Sequence, residues 1–564
     1  MSEIIHCVDS EITAGTAVVK KSGSPKGCGT LSLLPEAAIS LARQSQFRSA
    51  KAEFHSSRRR EFHFAHQSEH PPYNFPFILC KLVESFTERY TNESISPLPS
   101  APSNHHGLFS HCQKRGSGVY SPAENPHFRL RTHTLRYEPI PASFYTRTRD
   151  KLAAQLPAGS LVIVHANDIY PTNADGTLAH HQNANLFYLT GIDQEETVLL
   201  MRVGENGSHE DTLLLRETNE HIVIWEGARL TRETATQLSG VQDVRWTDEY
   251  NALLAAWVPA AKELWLETDN HPRRLTYVQT RNERMAAALK ASYPDAKTSS
   301  VYPLLAAMCL VKEPEELEQL RRACRITGDG FTEILPGIRP GMGEWEMEAA
   351  LSAAYIRRRA RKFSFHPIIA SGADTCVLHY ITNHKECRDG DLILFDIGAE
   401  YGGYAGDMTR TVPANGKFTP RQRAVYDAVL AAHRYAVSIM RPGVDKMDYE
   451  RRVRVFMAGE LVKLGLLTQE EVDAQPENPL CVRKYFMHGT SHSLGLDVHD
   501  VTPDGVVFAA GQVWTVEPGI YIPEENIGIR IETDILILED GTEDLIPNAP
   551  LDADDIERLM GKCD

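Results

Sequence analysis

The sequence lacks long apolar runs, closely spaced cysteine pairs and an excess of basic residues. No apolar run approaches the length of a bilayer-crossing helix, and the start lacks the apolar core of a signal peptide. The ten cysteines are scattered without a C-x-x-C pair, which is typical of thiols in a reducing compartment. The formal net charge of -16 argues against nucleic acid or an anionic membrane as the main partner. We therefore predict a cytoplasmic protein that binds neither nucleic acid nor membrane.

The first part of the chain differs in character from the rest. Residues 1–134 are rich in Ser, Pro and His and show little periodicity, so we interpret them as a poorly structured extension. A targeting peptide is an alternative, which scattered acidic residues and the missing apolar core argue against. A further hypothesis is that this stretch is not native, because no methionine lies between Met1 and Met201 and a start near Leu135 would explain the change.

From about residue 135 the chain becomes regular and divides in two. Residues 135–305 alternate strand-like segments, such as Ser160–His165 and Asn185–Gly191, with helical ones, which predicts a smaller α/β domain. Pro314 is typical of the first residue of a helix, here a long one that ends near Leu335. Beyond it strands dominate between helices. For residues 306–564 we therefore predict an α+β catalytic domain whose curved antiparallel sheet forms a cleft.

Two aspartates stand where predicted strands end or turn. The almost wholly apolar segment Leu392–Gly398 contains Asp396, which argues against an ordinary exposed carboxylate. A turn at Gly402-Gly403 predicts a hairpin that brings Asp396 and Asp407 together.

Three histidines and two glutamates add further candidates. His488, His492 and His499 lie within twelve residues among small and apolar neighbours, and neutral imidazole is the commonest protein metal ligand. One of the three is alternatively a packed core histidine. Glu517 ends an apolar strand directly before a Pro-Gly turn, at the expected edge of the cleft.

Arg530 and Glu532 alternate with isoleucines in one predicted strand. A period of two places both side chains on the same face. The alternative is an ion pair on a solvent-exposed face. The sequence thus offers four carboxylates and at least one histidine, a set that suits two adjacent divalent ions better than one. The oxygen-rich shell favours Mn(II), with Co(II), Zn(II) or Fe(II) as alternatives.

The order and context of these residues resemble a known family. The order Asp, Asp, His, Glu, Glu, with His488-Gly-Thr-Ser-His492 and Val516-Glu-Pro-Gly519, resembles the pita-bread metallopeptidases, and aminopeptidase P (Xaa-Pro aminopeptidase) in particular. The segments His181–Gly191 and Trp225–Arg229 resemble the N-terminal domain of that family. The resemblance implies a pita-bread catalytic domain, a homo-oligomer (dimer or tetramer) and hydrolysis of the Xaa-Pro bond at the N-terminus of peptides with proline at position two.

The resemblance also implies roles for individual residues. The implied ligands of two metal ions are Asp396, Asp407, His492, Glu517 and Glu532. The implied catalytic residues are His379, His488, His499, Glu517 and Arg530. In these roles Glu517 handles the proton of the attacking water, and His379 contacts substrate or the oxyanion. His488 and His499 line the substrate groove, and Arg530 orients a ligand carboxylate.

Two alternatives remain open. Prolidase shares the ligand set but cleaves only dipeptides, whereas Gly489-Thr490-Ser491 favours aminopeptidase P. A non-catalytic binding module on this fold would be indicated by the loss of a ligand, and none is lost.

Overall fold

The structure is a computed structural model that describes residues 135–268, 271, 273–274 and 278–561. The extension predicted for residues 1–134 lies outside the described residues. Among the residues that are described, no helix combines the length and the apolar character that a membrane span requires.

The N-terminal domain contains a six-stranded mixed sheet. Its elements are α1 (Ala142–Ala153), β1 (Ser160–His165), β2 (Pro171–Asn173), β3 (Gly176–Thr177), α2 (Ala184–Thr190), β4 (Val198–Val203), β5 (His209–Leu215), α3 (Glu220–Glu226), α4 (Arg232–Ser239), β6 (Asp243–Trp246), α5 (Tyr250–Trp257), β7 (Glu263–Leu266), α6 (Arg281–Ser292) and β8 (Thr298–Ser300). The strand order is β6-β5-β4-β1-β7-β8. Strands β1, β4 and β5 pair antiparallel, whereas β5/β6, β1/β7 and β7/β8 pair parallel.

Strand β1 has the bounds that the sequence predicts. It lies in the middle of this sheet, where an apolar strand is expected. It pairs with β4 on one side and β7 on the other, and all six of its residues are buried. Val162 and Val164 pack into the main core, while Leu161 and Ile163 pack into a second apolar cluster on the opposite face. A strand covered on both faces is expected to be apolar throughout.

The strand-like interpretation of Asn185–Gly191 was wrong, because this segment is helix α2. The Asn183 side chain accepts a hydrogen bond from the Leu186 amide (2.9 Å), and Gly191 ends the helix with a φ of 67°. These are the usual N-cap and C-cap signals. A short apolar run does not by itself distinguish a buried helix from a strand, so the caps were the informative residues.

The C-terminal part combines long helices with small antiparallel sheets. Its elements are α7 (Tyr302–Leu310), α8 (Pro314–Ile334), α9 (Glu344–Arg357), β9 (Ile368–Ser371), β10 (Leu392–Ile397), β11 (Glu400–Tyr401), β12 (Tyr404–Ala405), β13 (Met408–Pro413), α10 (Pro420–Ile439), α11 (Lys446–Lys463), α12 (Gln469–Asp473), β14 (Val513–Val516), β15 (Gly519–Ile522), β16 (Ile527–Arg530), β17 (Thr533–Leu538), β18 (Gly541–Asp544) and α13 (Ala553–Met560). The sheets have the orders β13-β10-β9, β11-β12, β14-β17-β18 and β15-β16. Every described pairing within them is antiparallel, as the sequence predicts.

Two of the candidate carboxylates lie at interruptions between consecutive strands. Asp407 lies between β12 and β13, and its amide donates to Asp534 Oδ2 (2.9 Å). Glu532 lies between β16 and β17, and its amide donates to the Thr409 carbonyl (3.0 Å). The prediction that Arg530 and Glu532 alternate along one strand was therefore wrong, because the strand ends at Arg530.

Candidate functional site

One cavity of 380 Å³ brings together the residues that the sequence proposes for the site. Its walls include Asp396, Asp407, His492, Glu517, Glu532, His379, His488, His499 and Arg530. They come from β10, β16, the two strand interruptions, the end of β14 and the irregular segments that follow β9 and α12. A larger cavity of 720 Å³ shares Arg273, Val498 and His499 with it but contains none of the five proposed metal ligands. The chemistry therefore concentrates in the smaller cavity.

The tightest cluster in this cavity consists of Asp407, His492 and Glu532. One potential ligand atom from each lies within 4.8 Å of the other two, and all three residues are buried. His492 Nε2 is 3.5 Å from Asp407 Oδ2 and 3.6 Å from Glu517 Oε1. Such spacing is suitable for several side chains around a metal ion and too long for direct hydrogen bonds.

The hydrogen bonding of His492 identifies the nitrogen that is free to coordinate. Its Nδ1 is 3.1 Å from the Ser493 carbonyl oxygen, which can only accept, so Nδ1 carries the proton. Burial, followed by the nearby His499, holds the pKa of His492 well below its usual value. The neutral ring therefore directs the lone pair of Nε2 towards two carboxylates. A cation between Nε2 and the carboxylates removes the repulsion between the nitrogen lone pair and the carboxylate oxygens.

The buried carboxylates of this cavity are not balanced by neighbouring positive charges. Burial and then the Asp396 charge raise the pKa of Glu532 to about 8. Burial, followed by the charge of Glu532, raises the pKa values of Asp407 and Glu517 well above the usual range. Buried Asp407 Oδ1 has no hydrogen-bond partner among the described residues. A divalent cation fits this donor set, because it both balances the charge and uses the unpaired oxygen.

Arg530 connects two of the carboxylates. Its Nη2 donates to Asp396 Oδ2 (2.6 Å), and its Nε donates to Thr409 Oγ1 (3.0 Å). The Thr409 hydroxyl in turn donates to Glu532 Oε2 (2.6 Å). Arg530 therefore orients Asp396 directly and Glu532 through one hydroxyl, which supports its expected role behind the ligands.

A hydrogen-bond chain continues from Arg530 to His488 through Tyr521. Arg530 Nη1 donates to the Tyr521 hydroxyl (2.8 Å), which is also 2.8 Å from His488 Nε2. Because His488 Nδ1 must donate to the Gly489 carbonyl (2.8 Å), Nε2 accepts from the tyrosine. Burial lowers the pKa of His488 to about 3, so the ring is neutral.

The other two histidines occupy different depths of the cavity. The ring of His499 packs edge-on against His492, with centroids 4.2 Å apart, and burial lowers its pKa to about 4. His379 is exposed and lies at the cavity wall on the irregular segment that follows β9. It is thus accessible to a bound substrate.

Sequence reasoning missed Tyr521, Thr409 and Arg273. Tyr521 had a usable signal, since it lies two residues after Gly519 and the period of a strand places it on the same face as the glycine that follows Glu517-Pro518. Thr409 looked like any strand threonine. Arg273 reaches the cavity from the N-terminal domain, and no local pattern predicts that contact.

Both parts of the chain match models of known protein families. The family model for the aminopeptidase P N-terminal domain matches residues 145–265, and that for metallopeptidase family M24 matches residues 318–539. The chain is 35% identical to the Xaa-Pro aminopeptidase of Escherichia coli (strain K12) over 429 residues, which covers 74% of this chain and 97% of that protein.

The chain is also similar to solved structures of aminopeptidase P and, at lower identity, to a dipeptidase. A zinc-substituted E. coli aminopeptidase P in complex with product has a TM-score of 0.69 and 34% identity, over 75% of this chain and 99% of that one. The Xaa-Pro dipeptidase of Mus musculus is 28% identical over 78% of this chain and 97% of that protein. The predicted pita-bread architecture with a preceding N-terminal domain is confirmed.

Proposed function

Because this chain belongs to the aminopeptidase P family of M24 metallopeptidases and is a metal-dependent aminopeptidase, we propose that it removes the N-terminal residue from peptides with proline at position two. The observation that carries this proposal is the cavity that brings four carboxylates together with the unprotonated Nε2 of His492. Prolidase is the alternative, supported by the more distant dipeptidase relative. A non-catalytic module would have lost a ligand position, and all five are present.

We further propose that the cavity binds two divalent ions, most suitably Mn(II). The proposed ligands are Asp396, Asp407, His492, Glu517 and Glu532. Two divalent ions balance the four negative charges of the carboxylates, whereas one ion leaves an excess that Arg530 only partly offsets. When bound, such ions supply Lewis acidity and activation of water. The oxygen-rich ligand set favours Mn(II) among the candidates.

Glu517 is the residue that we assign to proton transfer. Its two oxygens lie 3.6 Å from His488 Nδ1 and from His492 Nε2, at the edge of the cavity. The prolyl nitrogen of the substrate belongs to a tertiary amide and must gain a proton before it leaves. We propose that the Glu517 carboxylate takes a proton from the attacking water and then, as the carboxylic acid, delivers that proton to the nitrogen.

The histidines bind and orient the substrate in this proposal. His379, which is exposed at the cavity wall, donates to the oxygen of the scissile carbonyl as negative charge develops there. His488 and His499 are held neutral by burial and form the groove beside it. Arg530 maintains the orientation of Asp396 and Glu532.

The test uses the full chain loaded with Mn(II) and three peptides. Arg-Pro-Pro should release arginine, the release should stop on chelation, and Arg-Ala-Pro, which lacks proline at position two, should react far more slowly. Cleavage of the dipeptide Ala-Pro without cleavage of Arg-Pro-Pro would identify a prolidase. Homo-oligomeric assembly and a cytoplasmic location also remain proposals, which sedimentation and cell fractionation measure.

A further inference from the structure

A fully buried carboxylate lies at the start of α9, next to the loop that carries His379. Glu344 has a relative exposure of 0%. No metal-ligand role or mechanistic step described above uses it. A buried ionised carboxylate is costly unless hydrogen bonds compensate it, so its partners indicate what it does.

All the partners of Glu344 belong to the segment around His379. Glu344 Oε1 accepts from the Ser371 amide (2.9 Å) and hydroxyl (2.6 Å). Glu344 Oε2 accepts from the Tyr380 hydroxyl (2.8 Å) and the Lys385 amide (2.9 Å). Its own amide donates to the Lys385 carbonyl (2.9 Å). One side chain thus fastens residues before and after His379.

This segment needs such an attachment because it has little regular structure of its own. Between β9 and β10 only residues Gly372–Cys376 form a short 3-10 helix, and His379 lies in the irregular part. Gly372 has a φ of +59° and Asn383 a φ of +43°, so the chain turns sharply at both ends. Tyr380, the residue directly after His379, is itself bonded to Glu344.

We propose that Glu344 is a positioning residue that holds the His379 loop (residues 372–385) in the orientation that catalysis requires. The inference rests on the proposed function of His379. Glu344 contacts no substrate; it acts by fixing the two ends of the loop and the side chain next to His379. The four hydrogen bonds to one carboxylate resist rotation of the loop into or away from the cavity.

The competing explanation is that Glu344 only stabilises the first turn of α9. Glu346 provides the matched control, because it lies in the same turn, is exposed, and caps the helix by accepting from the Gly343 amide (2.7 Å). Glu346→Ala removes this acceptor and therefore perturbs the helix start without contacting the His379 loop. A capping role predicts similar effects of the two substitutions.

The first experiment is a double-mutant cycle with Arg-Pro-Pro as substrate. Glutamine cannot accept at both ends, so Glu344→Gln loses two acceptors, and we expect kcat to fall about 10- to 100-fold. KM should change less than about threefold, because the loss acts on the reacting geometry. In the His379→Ala background the same substitution should lower kcat less than about twofold, since the residue acts through His379.

The second experiment does not depend on activity. The amides of Ser371 and Lys385 donate directly to Glu344, so hydrogen exchange of peptides covering residues 371–387 should accelerate in Glu344→Gln and not in Glu346→Ala. Tyr380→Phe removes one donor without changing ring volume, and it replaces Glu344→Gln if that variant does not fold. It should also lower kcat, but by less than Glu344→Gln is expected to.

The outcomes separate the two proposals. A wild-type protein that leaves Arg-Pro-Pro intact defeats the proposed function, and hydrogen exchange still tests the attachment of the loop. Equal losses of kcat from Glu344→Gln with and without His379, or exchange as slow as in the wild type, overturn the positioning role of Glu344.

Discussion

Glu316 on α8 provides a stability prediction that is independent of the active site. It is buried, accepts from the Glu313 amide (2.9 Å) and receives the Tyr404 hydroxyl at 3.2 Å. Burial raises its pKa from 4.5 to about 7. Because the folded state binds this proton more tightly than the unfolded chain does, stability decreases as pH rises from about 4.5 to 7 and the loss is complete above 7.

The size of this loss follows from the pKa difference. At about 1.4 kcal/mol per pKa unit, the ionised form of Glu316 costs roughly 3 kcal/mol above pH 7. Glu316→Gln removes the ionisation and keeps one acceptor for the Glu313 amide, although a weaker bond to Tyr404 offsets about 1 kcal/mol of the gain. We therefore expect the variant to be about 2 kcal/mol more stable than the wild type at pH 8 and no more stable at pH 4.5.

The assay is urea unfolding of the metal-free protein at several pH values between 4.5 and 8, followed by tryptophan fluorescence. Glu318→Gln on the same helix is the control, since Glu318 is an exposed partner of Arg322 and should change stability by less than about 1 kcal/mol at every pH. A stability difference between Glu316→Gln and the wild type that stays constant with pH would refute the reasoning.

The remaining predictions concern the site. Glu517→Gln should lower kcat at least about 100-fold, because an amide cannot carry the proton, and near-wild-type turnover would remove Glu517 from that role. Tyr521→Phe breaks the chain between Arg530 and His488 and should lower kcat about tenfold, the equivalent of one hydrogen bond to a charged group. Tyr426→Phe removes a hydroxyl bonded to the Leu551 carbonyl instead and should leave kcat unchanged; equal effects would contradict the chain. Chelation should lower the urea midpoint and Mn(II) should restore it, with about 2.7 kcal/mol gained at a metal concentration of 100 Kd. An unchanged midpoint would argue against a metal between these carboxylates.

Much of the fold was predictable where local pattern and burial agree. Strand β1 and helix α8 were predicted closely, because one is apolar on both covered faces and the other begins at Pro314. The candidate carboxylates were also predictable, since Asp396 interrupts an apolar strand and Glu517 precedes a Pro-Gly turn. Residues whose types conflict with their surroundings are visible in a sequence.

The parts that were not predictable depend on tertiary contacts. The interruptions at Asp407 and Glu532 arise because their amides bond to Asp534 and Thr409, far away in the sequence. The alternation of Arg530 and Glu532 with isoleucines continues through Glu532 and gives no sign of the interruption there. Glu344 resembles any acidic residue in the first turn of a helix, and only its burial against the His379 loop distinguishes it.

The N-terminal domain contributes directly to the wall of the catalytic cavity. His271 Nε2 donates to the His499 carbonyl (3.1 Å), and Arg273 lines the cavity itself. The two domains consequently cannot be exchanged as independent modules between relatives. A chimaera that pairs this C-terminal domain with a foreign N-terminal domain would therefore have a cavity with one wall unmatched.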